Sequence, residues 1–329
     1  MKNSFPKILL VHVSGRVGDS LLGIPTVVAV CEGFKKSHID LLVHKNQKAL
    51  FENIPGINSV ESISDKRAIW KGWLGWPIYD LIIVLNYHEP LENILRYALR
   101  IGKRVIAFSS KSEMTNKRLY KSFERNFSKH NVKAYLELLS PLKINTSKLR
   151  IKFYLTEDEI KFSLKKMTEH SLQCKYLVGF QISTLRPYRN WPVSYFVETF
   201  KMIKSVKPNA LAIIFGGTDD QKKITQFKVG VSKGNYLDLS GFSLRLTAAC
   251  MSKLNLYLGV DTGPTHLMST FDIPMVVLYH CTLPSLYFGP LQHPHCAMID
   301  HPLGSKGSEQ SSMEDIKPKY VFKEIKRYL

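Results

Sequence analysis

Cysteine and acidic residues are scarce in this sequence, and long apolar runs are missing from it. Its 329 residues include five cysteines, which are scattered and show no C-x-x-C spacing. That scatter argues against a disulfide framework or a zinc site and favours a reducing compartment. No stretch has the apolar length of a membrane span, and the apolar run at residues 8–13 lacks the cleavage pattern of a signal peptide. We therefore expect a cytoplasmic protein.

Positive charge is in large excess. The chain has 46 Lys+Arg against 27 Asp+Glu, which gives a net charge of +19. Such an excess favours an acidic partner, meaning nucleic acid, an anionic membrane surface or a phosphorylated substrate. The hydrophobic fraction of 44% is normal for a folded protein, so the charge does not indicate disorder.

Short apolar runs alternate with longer segments of helical periodicity, as in α/β proteins with parallel sheets. The predicted strands are residues 7–13, 39–43, 81–85, 105–107, 176–182, 210–215, 236–238, 254–260 and 275–279. Helical spacing is found at residues 19–34, 193–205, 244–251 and 315–329. Residues 111–143 are predicted to be basic and rich in helix, and residues 149–175 to be a linker that contains one helix.

This alternation predicts two doubly wound α/β domains that meet near residue 165. The first domain covers residues 1–165 and the second residues 166–313. A closing helix at 314–329 must bury its apolar stripe, and packing back on the first domain is one way to do so. In open α/β sheets, ligands bind outside the carboxyl ends of the strands. With two domains, those ends can face each other across one cleft.

The most informative motif is D-T-G-P-T-H at residues 261–266, directly after an apolar run. A strand that leads through small residues into a helix offers unpaired backbone amides and a positive dipole end to an anion. Gly263 allows close approach of a phosphate, and Thr262 and His266 add side-chain donors. The alternative is that Asp261 simply caps the helix.

A second small-residue loop, S-G-R-V-G-D-S at residues 14–20, follows the first predicted strand. Its spacing matches neither a dinucleotide fingerprint nor a P-loop. Asp19 would either stabilise the start of the helix or act as a general base toward a hydroxyl.

Two further loops follow predicted strands of the second half. Residues 182–192 carry hydroxyls and two arginines, which suit a diphosphate, although a solvated loop is the alternative for Arg186. Residues 215–220 place Asp219 and Asp220 where a ribose diol can be held, or where one of them caps the next helix.

Taken in order, these motifs resemble glycosyltransferase family 9, the lipopolysaccharide heptosyltransferases. The resemblance rests on S-G-R-V-G-D-S followed by Pro25, R-N-W-P at 189–192, G-G-T-D-D at 216–220 and D-T-G-P-T-H at 261–266. It implies a GT-B fold, in which two Rossmann-like domains face a central cleft and the C-terminal helix packs on the first. It also implies ADP-heptose as donor, the Kdo-lipid A or inner core of lipopolysaccharide as acceptor, and the cytoplasmic face of a Gram-negative inner membrane as the location.

The resemblance also implies roles for individual residues. Asp19 matches the family's base, which would make the reaction an inverting transfer. Either Arg186 or Arg189 meets the donor phosphates, and either Asp219 or Asp220 binds the ribose. The full donor-binding set is Ser183, Thr184, Arg186, Arg189, Gly217, Asp219, Asp220, Asp261, Thr262, Gly263 and His266. The second domain would bind the nucleotide sugar, and the first would bind the acceptor.

The basic surplus concentrates in the first domain, where cations at residues 96–133 are interleaved with aromatic side chains. We expect this stretch to receive the anionic acceptor and to face anionic lipid, although a solvated helix face is the alternative for any single residue. The acceptor-binding candidates are Ser14, Gly15, Arg16, Gly18, Arg118, Lys121 and Arg125. Trp70, Trp73 and Trp76 face the membrane, the acceptor or the core.

Other functions remain open from the sequence. The same fold can use another nucleotide sugar or a later core acceptor, or bind a sugar nucleotide without catalysis. A nucleic-acid-binding protein would explain the charge, but no RRM, KH or helix-turn-helix pattern is present. We expect no required cofactor and a monomer; no metal-ligand cluster is visible in the sequence, and assistance by a divalent ion stays open.

Overall fold

The computed structural model describes residues 5–63, 78–87, 91–108, 116–169, 172 and 175–329. The chain divides into two units, Met1–Tyr154 and Leu155–Leu329. The boundary therefore falls before the helix that the sequence placed in a linker, rather than near residue 165. That helix, Glu157–Glu169, belongs to the second unit, because Glu159 binds the buried Arg245 there.

Within its described residues, the first unit contains a six-stranded parallel sheet with the order β3-β2-β1-β4-β5-β6. The strands are β1 (Lys7–His12), β2 (His38–His44), β3 (Ser59–Ile63), β4 (Leu81–Val84), β5 (Val105–Phe108) and β6 (Leu119–Phe123). The α-helices are Val17–Leu22, Ile24–Gly33, Lys48–Phe51, Leu91–Ile101 and Asn131–Glu137, and Lys45–Gln47 and Ser140–Leu142 are 3-10 turns.

The second unit repeats this architecture, with the order β12-β11-β10-β7-β8-β9 among the residues described. The strands are β7 (Tyr176–Gln181), β8 (Ala210–Phe215), β9 (Tyr236–Asp238), β10 (Leu256–Val260), β11 (Met275–Tyr279) and β12 (Cys296–Asp300). Its α-helices are Glu157–Glu169, Val193–Val206, Gln221–Val231, Leu244–Met251, Gly263–Met268, Ser285–Phe288 and Pro318–Ile325. The 3-10 turns are Pro187–Arg189, Thr218–Asp220, Gly304–Lys306, Met313–Asp315 and Lys326–Tyr328.

Both units have the strand order of a doubly wound Rossmann-like sheet, so the predicted α/β fold class is confirmed. The first strand of each unit lies centrally, and the chain direction across the sheet reverses between β1 and β4 and between β7 and β10. Loops at such a switch point diverge to opposite faces of the sheet and leave a crevice between them. The predicted site loops at residues 14–20, 182–192 and 261–266 follow these strands.

The predicted strands correspond closely to the observed ones because central strands, covered on both faces, are nearly continuous apolar runs. Three edge strands, β3, β6 and β12, were not predicted. Residues 111–143 were predicted to be basic and rich in helix. Residues 131–137 do form a helix, and residues 111–115 lie outside the described residues, but residues 119–123 form strand β6, with Lys121 exposed on an edge strand. Charged side chains are well tolerated there.

The C-terminal helix Pro318–Ile325 buries its apolar face in the second unit. Val321 and Ile325 are fully buried in the same core as strands β7, β10 and β11, and Met313 and Ile316 precede them there. Trp191 donates a hydrogen bond through its indole Nε1 to the carbonyl of Ile316, at 2.8 Å. The helix therefore contributes to the core of the second unit, and its packing on the first domain stays a prediction.

Candidate active site

Polar side chains that follow β7 and β10 come together at the switch point of the second sheet. The Nη2 atom of Arg189 donates to the carbonyl oxygen of Asp261 at 2.7 Å and also to its carboxylate Oδ2. The other carboxylate oxygen, Oδ1, lies 3.3 Å from Nε2 of His266. The side chains of Asp261 and His266 are each 7% exposed and that of Arg189 is 14% exposed. Asp261 thus binds the guanidinium of Arg189 at the end of β10, while its Oδ1 lies near the imidazole of His266 and accepts no hydrogen bond from the described residues.

Asp261 is not the cap of the helix that follows. Thr262 occupies the N-cap position in an extended conformation, and its carbonyl accepts the amides of Thr265 and His266. Gly263 is the first helical residue and Pro264 the second, where an amide hydrogen is not needed. The helix-cap interpretation of Asp261 is therefore wrong, and its carboxylate is used for side chains of the site.

The two candidate phosphate-binding arginines have different surroundings. Arg189 ends a 3-10 turn and is held against Asp261, whereas Arg186 is exposed. The hydroxyl of Thr184 donates to the carbonyl of Arg186 at 2.8 Å, so it stabilises the turn itself. A guanidinium has five N–H groups, and the Asp261 contact uses one of its nitrogens, so Arg189 retains further donor capacity.

Ser183 and Asp220 bind each other beneath the loop after β8. The Ser183 hydroxyl donates to one carboxylate oxygen of Asp220, and the amide of Gly217 donates to the other at 2.8 Å. Asp220 lies at the N-cap position of helix Gln221–Val231 but makes no side-chain cap bond to it; its carboxylate closes the 3-10 turn Thr218–Asp220, and Asp219 is exposed beside it. Of the two residues, Asp219 is the more exposed.

Several polar residues of this edge were missed by sequence reasoning. His280 follows β11, donates from Nε2 to the carbonyl of Ser311 at 3.0 Å, and packs against the ring of Tyr188. Burial, with a smaller contribution from the positive charge of Arg189, lowers the pKa of His280. Gln181 at the end of β7 donates to the carbonyl of Ser183. Their position directly after or at the end of apolar runs is the only signal that the sequence offers.

In the first unit, the proposed base lies after β1. Asp19 is partly buried in the first turn of helix Val17–Leu22, and its carbonyl accepts a hydrogen bond from His12 at 3.0 Å. Burial is the main cause that raises the pKa of Tyr87 and of Tyr135, and the negative charge of Asp19 contributes to both shifts. The Asp19 carboxylate therefore acts electrostatically on two phenols, neither of which the sequence indicates.

Arg125 is surrounded by aromatic rings next to these phenols. Its guanidinium carbon lies 4.7 Å from the ring centroid of Tyr87, 5.4 Å from that of Phe127 and 6.0 Å from that of Phe108. Nη2 also donates to the side-chain oxygen of Asn131. Cation–π contacts of this kind orient a guanidinium without neutralising its charge. Arg125 thus places a cation beside Tyr87, whose pKa is also raised in part by the negative charge of Asp19.

The loop between β1 and Asp19 is fixed by contacts to its own unit. Asn86, directly beyond β4, accepts the amide of Val13 at 2.9 Å and donates to the carbonyl of Val13 at 2.6 Å. The carbonyl of Gly15 accepts from Gln47, and the hydroxyl of Ser14 accepts the amide of Arg16. Gly15 and Arg16 are exposed, and Ser14 and Gly18 are partly buried.

The remaining acceptor candidates separate into two kinds. The guanidinium of Arg118 donates to the carbonyls of Leu99 and Arg100, at 3.1 and 2.9 Å, and so caps the end of helix Leu91–Ile101. Lys121 is exposed on β6. Trp70, Trp73 and Trp76 lie outside the described residues. No helix in the described part of the chain is long and apolar enough to cross a membrane.

Each unit therefore offers one kind of chemistry. The second unit presents an arginine bound by a buried carboxylate with a histidine beside it, an arrangement suited to binding an anion and stabilising charge on a departing group. The first unit presents a carboxylate beside phenols and a caged cation, which can accept a proton from a hydroxyl near an anionic substituent.

A family model named glycosyltransferase family 9 (heptosyltransferase) matches residues 78–316. The chain is 22% identical to lipooligosaccharide heptosyltransferase 2 of Campylobacter jejuni, over 97% of this chain and 98% of that protein.

Two solved structures have the same fold. A family 9 glycosyl transferase from Veillonella parvula has a TM-score of 0.82 at 19% identity, with coverage of 100% of this chain and 98% of the other. The ADP-heptose LPS heptosyltransferase II of E. coli has a TM-score of 0.77 at 18% identity, with coverage of 97% and 98%.

Proposed function

Because the chain belongs to glycosyltransferase family 9, the heptosyltransferase family, we propose that it transfers a heptose from ADP-heptose to the inner core of lipopolysaccharide. The observation that carries this proposal is the Arg189–Asp261–His266 cluster at the switch point of the second sheet. The names of the C. jejuni relative and the E. coli structure, which refer to lipooligosaccharide and to ADP-heptose, support the choice of substrates.

In this proposal the second unit binds the donor. Arg189 pairs with the diphosphate through its unused N–H groups, while Asp261 keeps the guanidinium in place. His266 and the backbone at Thr262 and Gly263 complete the anion site. Asp219 binds the ribose, because the carboxylate of Asp220 is already bound to Ser183 and Gly217. The guanidinium of Arg189 supplies positive charge to the departing ADP. The proposed reaction therefore uses a protein cation for this step and includes no resident cofactor.

Asp19 of the first unit acts as the general base. Its carboxylate takes the proton of an acceptor hydroxyl as that oxygen forms a bond to the anomeric carbon of the heptose. The bond from the anomeric carbon to the diphosphate breaks at the same time, and ADP leaves with the electron pair. A single displacement of this kind inverts the anomeric configuration, by the same geometric reasoning that applies to inverting hydrolases.

The acceptor meets the first unit through its anionic groups. Arg125, caged by aromatic rings and next to Tyr87, is placed to bind a carboxylate or phosphate near the attacking hydroxyl. Lys121 on β6, together with the exposed Lys117 and Lys129 of the adjoining loops, favours the anionic cytoplasmic face of the inner membrane as the place where the acceptor is met.

A transfer assay with mass-spectrometric detection tests the substrates. The purified protein is incubated with Kdo-lipid A and either ADP-heptose or UDP-glucose, and we expect a single added heptose with ADP-heptose alone. Transfer from UDP-glucose only would mean that the donor is wrong although the enzyme class is right. Binding of duplex DNA much tighter than that of the lipid acceptor at the same salt concentration would favour a nucleic-acid function.

Substitution of the base tests the mechanism. Asp19→Asn preserves side-chain size but removes the proton acceptor, so we expect kcat to fall by about a hundredfold or more while the melting temperature is unchanged. Glu32→Gln, on the neighbouring helix at an exposed ion pair with Lys148, is the matched control and should retain wild-type turnover. Near-normal turnover of Asp19→Asn would show that Asp19 is not the base.

A further inference from the structure

The helix that carries Asp19 is broken immediately after its second turn. Helix Val17–Leu22 ends at Gly23, and a second helix, Ile24–Gly33, begins in the next residue. Pro25 lacks the amide hydrogen that the carbonyl of Leu21 would accept in a continuous helix. The sequence had predicted one helix over residues 19–34, so this break is a feature that periodicity alone did not reveal.

The break leaves the carbonyl of Asp19 without its usual helical donor. In an α-helix that carbonyl would accept the amide of Gly23, four residues later. Here the amide of Gly23 donates to Ser20, at 3.3 Å, and the carbonyl of Asp19 instead accepts from Nε2 of His12, at 3.0 Å. A side chain at the end of β1 thus completes the hydrogen bonding of the residue proposed as the base.

The hydrogen bond assigns the protonation of the imidazole. A carbonyl oxygen only accepts, so Nε2 of His12 carries the proton. His12 is 1% exposed, and its Nδ1 has no hydrogen-bond partner among the described residues. Burial lowers the pKa of His12, which keeps the ring neutral. The ring is therefore a fixed, uncharged donor and is not a proton shuttle.

Packing holds the imidazole rigidly in this position. Its ring makes edge contacts with Phe51 and Tyr135, with centroids 6.0 and 5.4 Å apart. A methyl group at Gly23 would lie 2.6 Å from Nε2, so the ring rests directly on the backbone at the helix break. Gly23 has helical angles, with φ −80° and ψ −19°, so its missing side chain provides space for His12 rather than conformational freedom.

We propose that His12 is a positioning residue that fixes the first turn of helix Val17–Leu22 and thereby the direction of the Asp19 carboxylate. It does not contact substrate. This inference rests on the proposed role of Asp19 as base. It adds that the direction of the Asp19 carboxylate depends on the neutral His12 donor on β1 and on the absence of a side chain at Gly23, where the helix breaks.

Three variants test the proposal in the full-length enzyme. His12→Leu removes the donor and fills the space, so we expect kcat to fall by about tenfold or more with a donor KM changed by less than about twofold. His12→Gln places an amide nitrogen near the position of Nε2 and should restore most of the kcat. Gly23→Ala changes neither Asp19 nor His12, but its methyl group displaces the His12 ring. We expect it to lower kcat as His12→Leu does.

A double-variant cycle distinguishes positioning from a general loss of structure. Once Asp19→Asn has removed the base, adding His12→Leu should cost nothing further in kcat, whereas independent effects would multiply. Multiplying effects, a wild-type kcat in folded His12→Leu, or failure of His12→Gln to recover activity would each overturn the proposal.

The inference about His12 can be tested separately from the proposed heptosyltransferase activity. If the wild-type enzyme transfers no heptose, the proposed function fails by itself. The nitrogen-15 spectrum of His12 then still decides its state, because a neutral ring protonated at Nε2 is expected at and above pH 6.5. A ring protonated at Nδ1 would contradict the inference whatever the activity.

Discussion

At the scale of single residues, the buried polar side chains of the second unit are distinguished by what they bind. Asp261 and Asp220 have carboxylates engaged by protein groups, whereas Asp219 and Arg186 are exposed. Leaving a buried charge without a partner costs far more than leaving an exposed one in water. Removing either Arg189 or Asp261 would therefore leave the charge of the other unpaired, whereas Arg186 is solvated and needs neither residue as a partner.

The two arginines make a matched pair for substitution. Arg189→Ala removes a partly buried guanidinium and leaves Asp261 without its cation, so we expect the donor KM to rise by about tenfold or more. Arg186→Ala, in the same loop but exposed, should change the donor KM by less than about twofold. Initial-rate measurements with varied ADP-heptose provide both values; equal effects would mean that Arg189 has no special place in the anion site.

Residue types near the site were largely predictable, but residue pairs were not. The loops at 14–20, 182–192, 215–220 and 261–266 stand out because small and polar residues follow apolar runs. The choice of Arg189 over Arg186 depends on a contact with Asp261, 72 residues later. The charge of Asp19 acts on Tyr87, which follows β4, and on Tyr135, which lies on helix Asn131–Glu137, and the local sequence pattern contains neither relation.

At the scale of elements, central strands and peripheral elements differ in how well the sequence indicates them. Strands β1, β7, β10 and β11 are apolar on both faces, and their runs stand out clearly. Strand β6 is half-exposed at an edge, and its one charged residue, Lys121, gives it the appearance of part of a solvated helix. The C-terminal helix was predicted from its apolar stripe, but a stripe does not specify which surface it covers.

The contribution of the C-terminal helix to the stability of the second unit can be measured. Ile325 is fully buried against the second core, so Ile325→Ala is expected to lower the free energy of unfolding by about 2–5 kcal/mol. Lys323→Ala, on the exposed side of the same helix, should change it by less than about 0.5 kcal/mol. Urea denaturation monitored by circular dichroism provides the comparison, and equal stability of the two variants would show that this helix is dispensable.

At the scale of the whole molecule, the charge of +19 is the property most directly visible in the sequence. It predicts an anionic partner but does not distinguish among nucleic acid, lipid and sugar phosphate. Membership of a glycosyltransferase family favours a sugar phosphate or a lipid-linked sugar over nucleic acid as that partner. Long-range attraction of this kind depends on the ionic strength, since the screening length is only about 10 Å at 0.1 M salt.

Charge reversal at two surface positions tests whether the location of the charge matters. Lys121→Glu and Lys201→Glu make the same change in net charge, in the first and second unit respectively, and both lysines are exposed. We expect Lys121→Glu to raise the acceptor KM and to weaken its salt dependence, with little effect from Lys201→Glu. The measurement is the acceptor KM across a series of NaCl concentrations; identical behaviour would indicate that net charge alone attracts the acceptor.

The shared strand order also has a consequence for how the chain folds. The strand made first in each unit is the one that ends in the middle of its sheet, so it needs partners from far along the sequence. Val13 at the end of β1 binds Asn86, 73 residues later, and Leu177 on β7 binds Asn255, 78 residues later. Chains whose contacts are this distant close large loops before they gain packing, and they fold slowly. Until β4 is synthesised, β1 exposes an unpaired apolar edge, so newly made chains are most open to aggregation at that stage.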